Sequence, residues 1–165
     1  MIVVADASPL NYLIQVSCDA LLQALYGRVL VPAAVIEELR HPSAPSSVSS
    51  WLRHTPDWIE VRVVSARADV ALEALDPGER EAIQLAEEQK ADLLLIDERQ
   101  GRREARKRGI ATTGTLGVLL AGGNRGIIDA EEAFHRLITQ TTFRAAPDVQ
   151  ESFTRQCREQ QNRSD

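Results

Sequence analysis

The sequence predicts one α/β domain with a mostly parallel central sheet. Short apolar segments alternate with amphipathic helical segments along the whole chain. The run DLLLI at residues 92–96 is also apolar on both faces, as is typical of a strand covered by helices on both sides of a parallel sheet. A length of 165 residues suits a single core, and 44% hydrophobic with 26% charged residues excludes disordered and membrane-embedded chains.

The first half of the chain predicts three strands with helices between them. IVVAD, at residues 2–6, is a short apolar strand closed by an acid, and Pro9 suits the first turn of the next helix. CDALLQALYG predicts a second helix that stops at Gly27, RVLV a second strand, and PAAVIEELR a third helix that opens at Pro32. A Pro/Ser loop and the short segment VSSWLRH then lead to WIEVRVV, whose alternation predicts a strand.

The second half continues the alternation. Residues 67–75 predict a helix, and DPGEREAIQLAEEQK another with Asp76 as its N-cap. DLLLI is the next strand, ERQGRREARKRG a basic helix and IATT a short last strand. Two more helices are expected, capped by Thr115 and Asp129. We expect the α/β domain to cover residues 1–145, followed by a polar C-terminal helix or tail over 146–165 that frays into solvent.

Acids follow the predicted strands at the edge where such sheets carry their sites. Asp6 closes the first strand and Asp97 a later one, so both carboxylates are expected at the carboxyl edge of the sheet. Two glutamates can reach the same edge, one from VIEEL and one from the first turn after DPG. Carboxylates crowded together raise one another's pKa unless a cation neutralises them. Oxygen ligands without His or Cys favour Mg²⁺, with Mn²⁺ as a possible substitute.

Each acid also has a purely structural interpretation. Glu79 stands three residues after Asp76, which is the spacing of a capping box. Asp97 could cap the basic helix, and one of Glu37 and Glu38 is expected on a solvated helix face. Asp6 could form a local turn together with Ser8, although an acid directly after a buried strand needs a cation or several donors to stay charged.

Five stretches of the sequence resemble the PIN-domain nucleases, in particular the prokaryotic branch close to the VapC-type toxins. They are VVADASPLNYL, VPAAVIEEL, LDPGEREAIQLA, LLLIDERQGRREARKRGI and TGTLGVL, in the order of the family. The resemblance as a whole runs from about residue 2 to beyond residue 127. The resemblance implies a three-layer α/β/α fold, a divalent metal held by clustered acids, and hydrolysis of RNA by a metal-activated water to a 5'-phosphate and a 3'-hydroxyl.

The resemblance also implies which acids act. By position they are Asp6, Glu38, Glu79 and Asp97, with Asp6, Asp97 and Glu79 as the metal set. The commoner pattern has Asp where this chain has Glu79, and Glu81 is close enough to leave the choice open. The family further implies a homodimer, through the early helices and the segment around Trp51, and, for a toxin, an antitoxin that covers the acidic groove.

Several residues are predicted to bind the substrate. The basic helix places four arginines on adjoining faces, where they can contact phosphates beside the metal although the net charge of the chain is -5. Ser8 and Thr113 are expected at the same edge of the sheet. The structural alternative for the arginines is a solvated face balanced by glutamates. The four arginines are Arg99, Arg102, Arg103 and Arg106.

The sequence therefore predicts a cytoplasmic, Mg²⁺-dependent endoribonuclease with RNA as substrate, the toxin of a toxin-antitoxin pair, without a membrane segment. The alternative is a catalytically weak PIN-like module that binds RNA or a protein. A phosphotransfer domain is disfavoured, because DASPL lacks the second Asp of a dehalogenase-type phosphatase.

Overall fold

Five parallel strands form the centre of the molecule. The computed structural model describes residues 1–65 and 67–164, so Asp165, the end of the predicted tail, lies outside the described residues. The strands are β1 Val3–Ala5, β2 Val29–Pro32, β3 Ile59–Arg62, β4 Leu93–Leu95 and β5 Thr112–Thr113. The helices are α1 Ala7–Gln15, α2 Ala20–Tyr26, α3 Ala33–Leu39, α4 Ser46–Arg53, α5 Pro77–Glu88, α6 Arg99–Lys107, α7 Thr115–Asn124, α8 Ala130–Gln140 and α9 Pro147–Ser164.

The strand order of the sheet is β3-β2-β1-β4-β5. Every pair among the described strands is parallel, with Val3 beside Val29 on one side and Leu93 on the other. The chain runs outward from β1 to β3, then returns to the other side of β1 to form β4. The connections therefore reverse direction between β1 and β4, and crevices outside such a switch point are where α/β sheets bind ligands.

Side chains of the central strands alternate between two apolar cores, as the pleat of a sheet requires. Val3 and Ala5 contribute to a core shared with α1, α2, α7, α8 and α9. Val4 points the other way, into a core shared with α5 and α6. The predicted α/β fold with a parallel sheet between two helical layers is confirmed. No helix in the described part of the chain is long and apolar enough to cross a membrane.

The prediction of a helix over residues 67–75 is wrong. These residues form only a 3-10 turn, Val70–Leu72. Leu72 and Leu75 are buried there, and Asp69 accepts a hydrogen bond of 2.7 Å from Arg108, which lies 39 residues later in the chain. Long-range contacts thus decide the conformation of this segment against its helical pattern.

The C-terminal helix is present but does not fray into solvent along its length. Phe153 and Cys157 are buried in the larger core, and the ring of Phe153 lies 4.6 Å from that of Phe134. One polar helix can carry such a stripe because only every third or fourth residue faces the protein. Helix α9 is therefore packed against the domain that precedes it.

Candidate functional site

Asp6 is a buried carboxylate at the switch point of the sheet. Its backbone N–H donates to the carbonyl of Leu95 at 2.9 Å, which continues the β1–β4 pairing to the edge. The side chain is 3% exposed, and its Oδ1 has no hydrogen-bond partner among the described residues. Burial is the main cause that raises the pKa of Asp6 to about 8; a hydrogen bond from the Ala7 backbone opposes it, and the neighbouring acids Glu79, Asp76 and Glu38 add to it.

Three carboxylates face one small space at the start of α5. A Cβ built on Gly78 would lie 2.8 Å from Oε2 of Glu38, 3.4 Å from Oδ1 of Asp6 and 3.5 Å from Oδ1 of Asp76. These oxygens come from three different elements, the end of β1, helix α3 and the residue before α5. The glycine leaves open a cradle that any other side chain would enter.

Glu79 joins the same cluster through the first turn of α5. Burial, and then Asp76, raise the pKa of Glu79 to about 7, while a backbone hydrogen bond from Asp76 lowers it. In return the Glu79 N–H donates to Oδ1 of Asp76 at 2.9 Å. The predicted capping box is thus present, and it sits inside the acidic cluster because Glu79 raises the pKa of Asp6 and Glu38 raises the pKa of Glu79.

The structure separates the glutamates that the sequence left open. Glu37 is exposed and pairs with Arg40 at 2.6 Å. Burial and Asp76 raise the pKa of Glu38, its neighbour. Glu81 accepts a hydrogen bond of 3.2 Å from the Ala34 backbone at the start of α3. Glu38 and Glu79, and not Glu37 and Glu81, are therefore the glutamates brought to Asp6.

Asp97 lies at the same edge of the sheet but binds a different helix. Its Oδ1 and Oδ2 accept hydrogen bonds of 2.7 Å from the backbone N–H and the hydroxyl of Thr115. Burial raises the pKa of Asp97, and Thr115 and then Arg102 lower it; no other acid contributes. The carboxylate thus holds the start of α7, and the predictions that Thr115 is the N-cap and that Asp97 caps the basic helix are wrong.

The chemistry of the cluster fits a hard divalent cation. Within residues 1–65 and 67–164 no three Asp, Glu, His or Cys side chains lie together in a group that could hold a metal ion as they stand. The fit rests instead on the unpartnered, buried Oδ1 of Asp6 and on the open cradle at Gly78. The donors that face this space are all carboxylate oxygens, which Mg²⁺ and Mn²⁺ prefer.

Asp76 is the site residue that sequence reasoning missed. Its capping role is confirmed, since its carboxylate accepts from Glu79, and this role alone explained its presence. The same oxygen faces the cradle with Asp6 and Glu38. A signal was present in the sequence, because DPGE places two acids around a glycine within a single helical turn at the carboxyl edge of the sheet.

A polar cavity of about 250 Å³ adjoins the cluster. Ser8 lines it, as expected of a residue at this edge, together with side chains from α3 and the loop after it. His41 also lines the cavity, and its Nδ1 accepts a hydrogen bond of 3.1 Å from the Ser43 backbone. The cavity thus gives the acidic cluster an open approach from solvent.

The predicted phosphate-binding arginines differ in their contacts. Arg99, Arg102 and Arg103 line one depression along α6, and in the described part of the chain none of their side chains makes a hydrogen bond or an ion pair. Arg106 lines it too but donates from Nε to the Thr112 hydroxyl at 3.3 Å. Three guanidinium groups therefore remain available to an anion.

Thr113 is half-buried beside the first turn of α7. Its Oγ1 lies 1.9 Å from the position that a Cβ of Gly117 would occupy. The hydroxyl is therefore packed against the first turn of α7, and only a glycine at position 117 leaves room for it.

The chain is similar to a known family and to a solved structure. A family model described as a PIN domain matches residues 2–159. No curated protein matches the sequence. Among solved structures, a PilT N-terminus domain protein from the hyperthermophilic archaeon Sulfolobus solfataricus P2 is similar at 17% identity and a TM-score of 0.43, over 88% of this chain and 100% of that one.

Proposed function

The chain belongs to the PIN-domain family, in general a family of nucleases, and we propose that it is a divalent-metal-dependent endoribonuclease. One observation carries the proposal: the buried Oδ1 of Asp6 has no hydrogen-bond partner among the described residues and faces the cradle at Gly78. A buried carboxylate oxygen without a donor costs free energy whenever the group is charged, and a cation removes that cost.

The metal would be held by carboxylates from both sides of the cradle. We assign Asp6, Glu38 and Asp76 to it from their convergence on Gly78, and Glu79 from its electrostatic coupling to them. A bound Mg²⁺ or Mn²⁺ would supply positive charge to the phosphodiester and a water of lowered pKa. The positive charge of the ion would offset the mutual repulsion of Asp6, Glu38 and Glu79.

Asp97 stays a predicted ligand with a second task. Both of its oxygens accept from Thr115, which fixes the carboxylate against α7 and leaves fewer lone pairs for an ion. We therefore expect Asp97 to contribute less to metal affinity than Asp6 does.

The chain's other residues would position the RNA. In the described part of the chain the side chains of Arg99, Arg102 and Arg103 make no hydrogen bond and no ion pair, so contact with phosphates would cost them none, although Arg102 also lowers the pKa of Asp97. Ser8 lines the cavity beside Asp6 and presents a hydroxyl to the backbone of the substrate. The arginines hold the strand while the acids act at one phosphodiester.

We further propose the toxin role and its partners. An antitoxin would cover the acidic groove by presenting an arginine to the carboxylates at Gly78, since a guanidinium pairs with carboxylates through two hydrogen bonds. For a homodimer, the early helices and α4 offer a stiff surface, because Trp51 donates from Nε1 to Asp19 at 3.0 Å and ties α4 to the start of α2. Light scattering of the purified chain, alone and with a co-expressed partner, tests both.

The decisive experiment is cleavage of a mixed structured RNA by the purified full chain with Mg²⁺ or Mn²⁺, and with EDTA. Asp6→Asn and Asp97→Asn are compared with Glu37→Gln, a neighbour of the site whose side chain is exposed. We expect metal-dependent cutting that Asp6→Asn abolishes, Asp97→Asn reduces and Glu37→Gln leaves unchanged. Intact RNA with every metal, or an active Asp6→Asn, refutes the nuclease; RNA that is bound but not cut favours the binding module.

A further inference from the structure

A second cavity, of about 300 Å³, borders Asp97. We call it the Asp97 groove. Its walls come from the end of β4, helix α6, the start of α7 and the segment between α8 and α9. The side chains that matter for its chemistry are Asp97, Arg102, Leu116, Phe143, Arg144 and Val149.

Apolar side chains form one part of the groove. Leu116 and Phe143 are half-buried, and Val149 is 42% exposed. The ring of Phe143 is fixed edge-on to Tyr12, with the ring centroids 5.1 Å apart. A rigid aromatic ring that keeps part of its surface open offers a flat partner a contact that costs little conformational entropy.

Two arginines bring positive charge to the same groove. In the described part of the chain Arg144 makes one hydrogen bond, from its Nη1 to the carbonyl of Phe143 at 3.3 Å, and no ion pair. The side chain of Arg102 makes no hydrogen bond and no ion pair with the described residues, although its charge lowers the pKa of Asp97. The carboxylate of Asp97 is already bound by Thr115, so two guanidinium groups remain against one engaged acid. The groove is thus complementary to an anion with an apolar part.

We propose that the Asp97 groove is a subsite for one nucleotide of single-stranded RNA next to the cleaved phosphodiester. The base contacts Phe143, and the phosphate lies between Arg102 and Arg144. A base can reach a half-buried ring only when it is unstacked, which single strands allow and duplexes do not. The assignment rests on the proposed nuclease function, and it adds Arg144, from outside the basic helix, as a positioning residue.

The test compares Arg144→Ala with Arg144→Lys and with the control Arg155→Ala. Arg155 is exposed and lines a different cavity, between α8 and α9. KM, kcat and Kd are measured with the full chain on a short single-stranded RNA and on a duplex of the same sequence, over a range of salt concentrations. Arg144 is exposed, so none of these variants removes a buried group.

We expect Arg144→Ala to raise KM or Kd for the single strand about tenfold and to reduce the salt slope by about one, with kcat unchanged. Arg144→Lys should keep the salt slope. Val149→Glu, which puts an anion at the rim, should weaken binding of the single strand as well.

Three results overturn the inference. If Arg144→Ala behaves as Arg155→Ala does while wild type cuts RNA, the subsite is wrong and the nuclease stands; the groove would then suit an acidic peptide. If Arg144→Ala loses the same affinity for the single strand as for the duplex, the proposed contact of a base with Phe143 is contradicted. If wild type neither cuts nor binds RNA, the proposed function fails and the subsite with it, whereas binding without cutting still lets Kd decide the subsite.

Discussion

Replacing Asp6 with asparagine should make the metal-free protein more stable at neutral pH. The pKa of this carboxyl rises from 3.8 in the unfolded chain to about 8 in the fold, chiefly because the side chain is buried. The contribution of this carboxyl to the free energy of unfolding is therefore fully present below about pH 4, where the group is neutral in both states, and it is lost as the pH rises toward about 8. Between pH 3.8 and 7 the loss reaches a ceiling of roughly 4 kcal/mol, at about 1.36 kcal/mol per pH unit.

Asparagine is neutral throughout this range, so Asp6→Asn should recover that free energy where wild type loses it. We expect a gain of at least about 1 kcal/mol at pH 7, which raises Tm by roughly 2–4 °C in a chain of this size, and almost none near pH 4. The assay is thermal and urea unfolding in EDTA from about pH 4 to about pH 8. Glu37→Gln is the control, because its exposed carboxylate should leave the pH profile unchanged.

Adding Mn²⁺ should make wild type more stable than Asp6→Asn, the reverse of their order of stability in EDTA. Wild type gains stability because an ion that binds only the folded state shifts the unfolding equilibrium, and Asp6→Asn gains far less. A variant that is less stable than wild type at pH 8 in EDTA, or a pH profile that the substitution does not change, would show that Asp6 has a partner after all. The account of the cradle would then be wrong.

Three further predictions follow from the packing. Gly78→Ala puts a Cβ 2.8 Å from Oε2 of Glu38, so the Mn²⁺ affinity measured by calorimetry should fall about tenfold. The free energy of unfolding should stay equal or rise by up to about 1 kcal/mol, because alanine favours a helix more than glycine does. An unchanged Mn²⁺ affinity would contradict the open cradle at Gly78. Asp76→Ala should cost about 1 kcal/mol in urea unfolding through the lost cap, and Asp76→Ser should restore stability without restoring Mn²⁺ affinity; recovery of both would leave Asp76 a cap alone. Phe153→Ala should cost about 3–5 kcal/mol, and a loss below about 1 kcal/mol would show that α9 is dispensable.

The sequence predicts the sheet well because continuous apolar runs and periodicity are local signals. The strands around Val4 and Leu94, and the acids that follow them, are identified from the runs alone. The start of α7 is different, because the acceptor for the Thr115 N–H is a carboxylate 18 residues earlier in the chain. The segment 67–75 is also set by a distant partner, Arg108. Contacts of this range leave no periodic trace in the sequence.

The acids of the site also differ in what holds them when no cation is near. Asp76 accepts from the first turn of α5, Asp97 from the first turn of α7, and both are stabilised by the positive end of a helix. Asp6 precedes α1, and its Oδ1 has no hydrogen-bond partner among the described residues. The two helices therefore hold the carboxylates of Asp76 and Asp97 in place, whereas Oδ1 of Asp6 is left open to a ligand. That asymmetry makes Asp6 the residue through which a cation changes the stability of the fold.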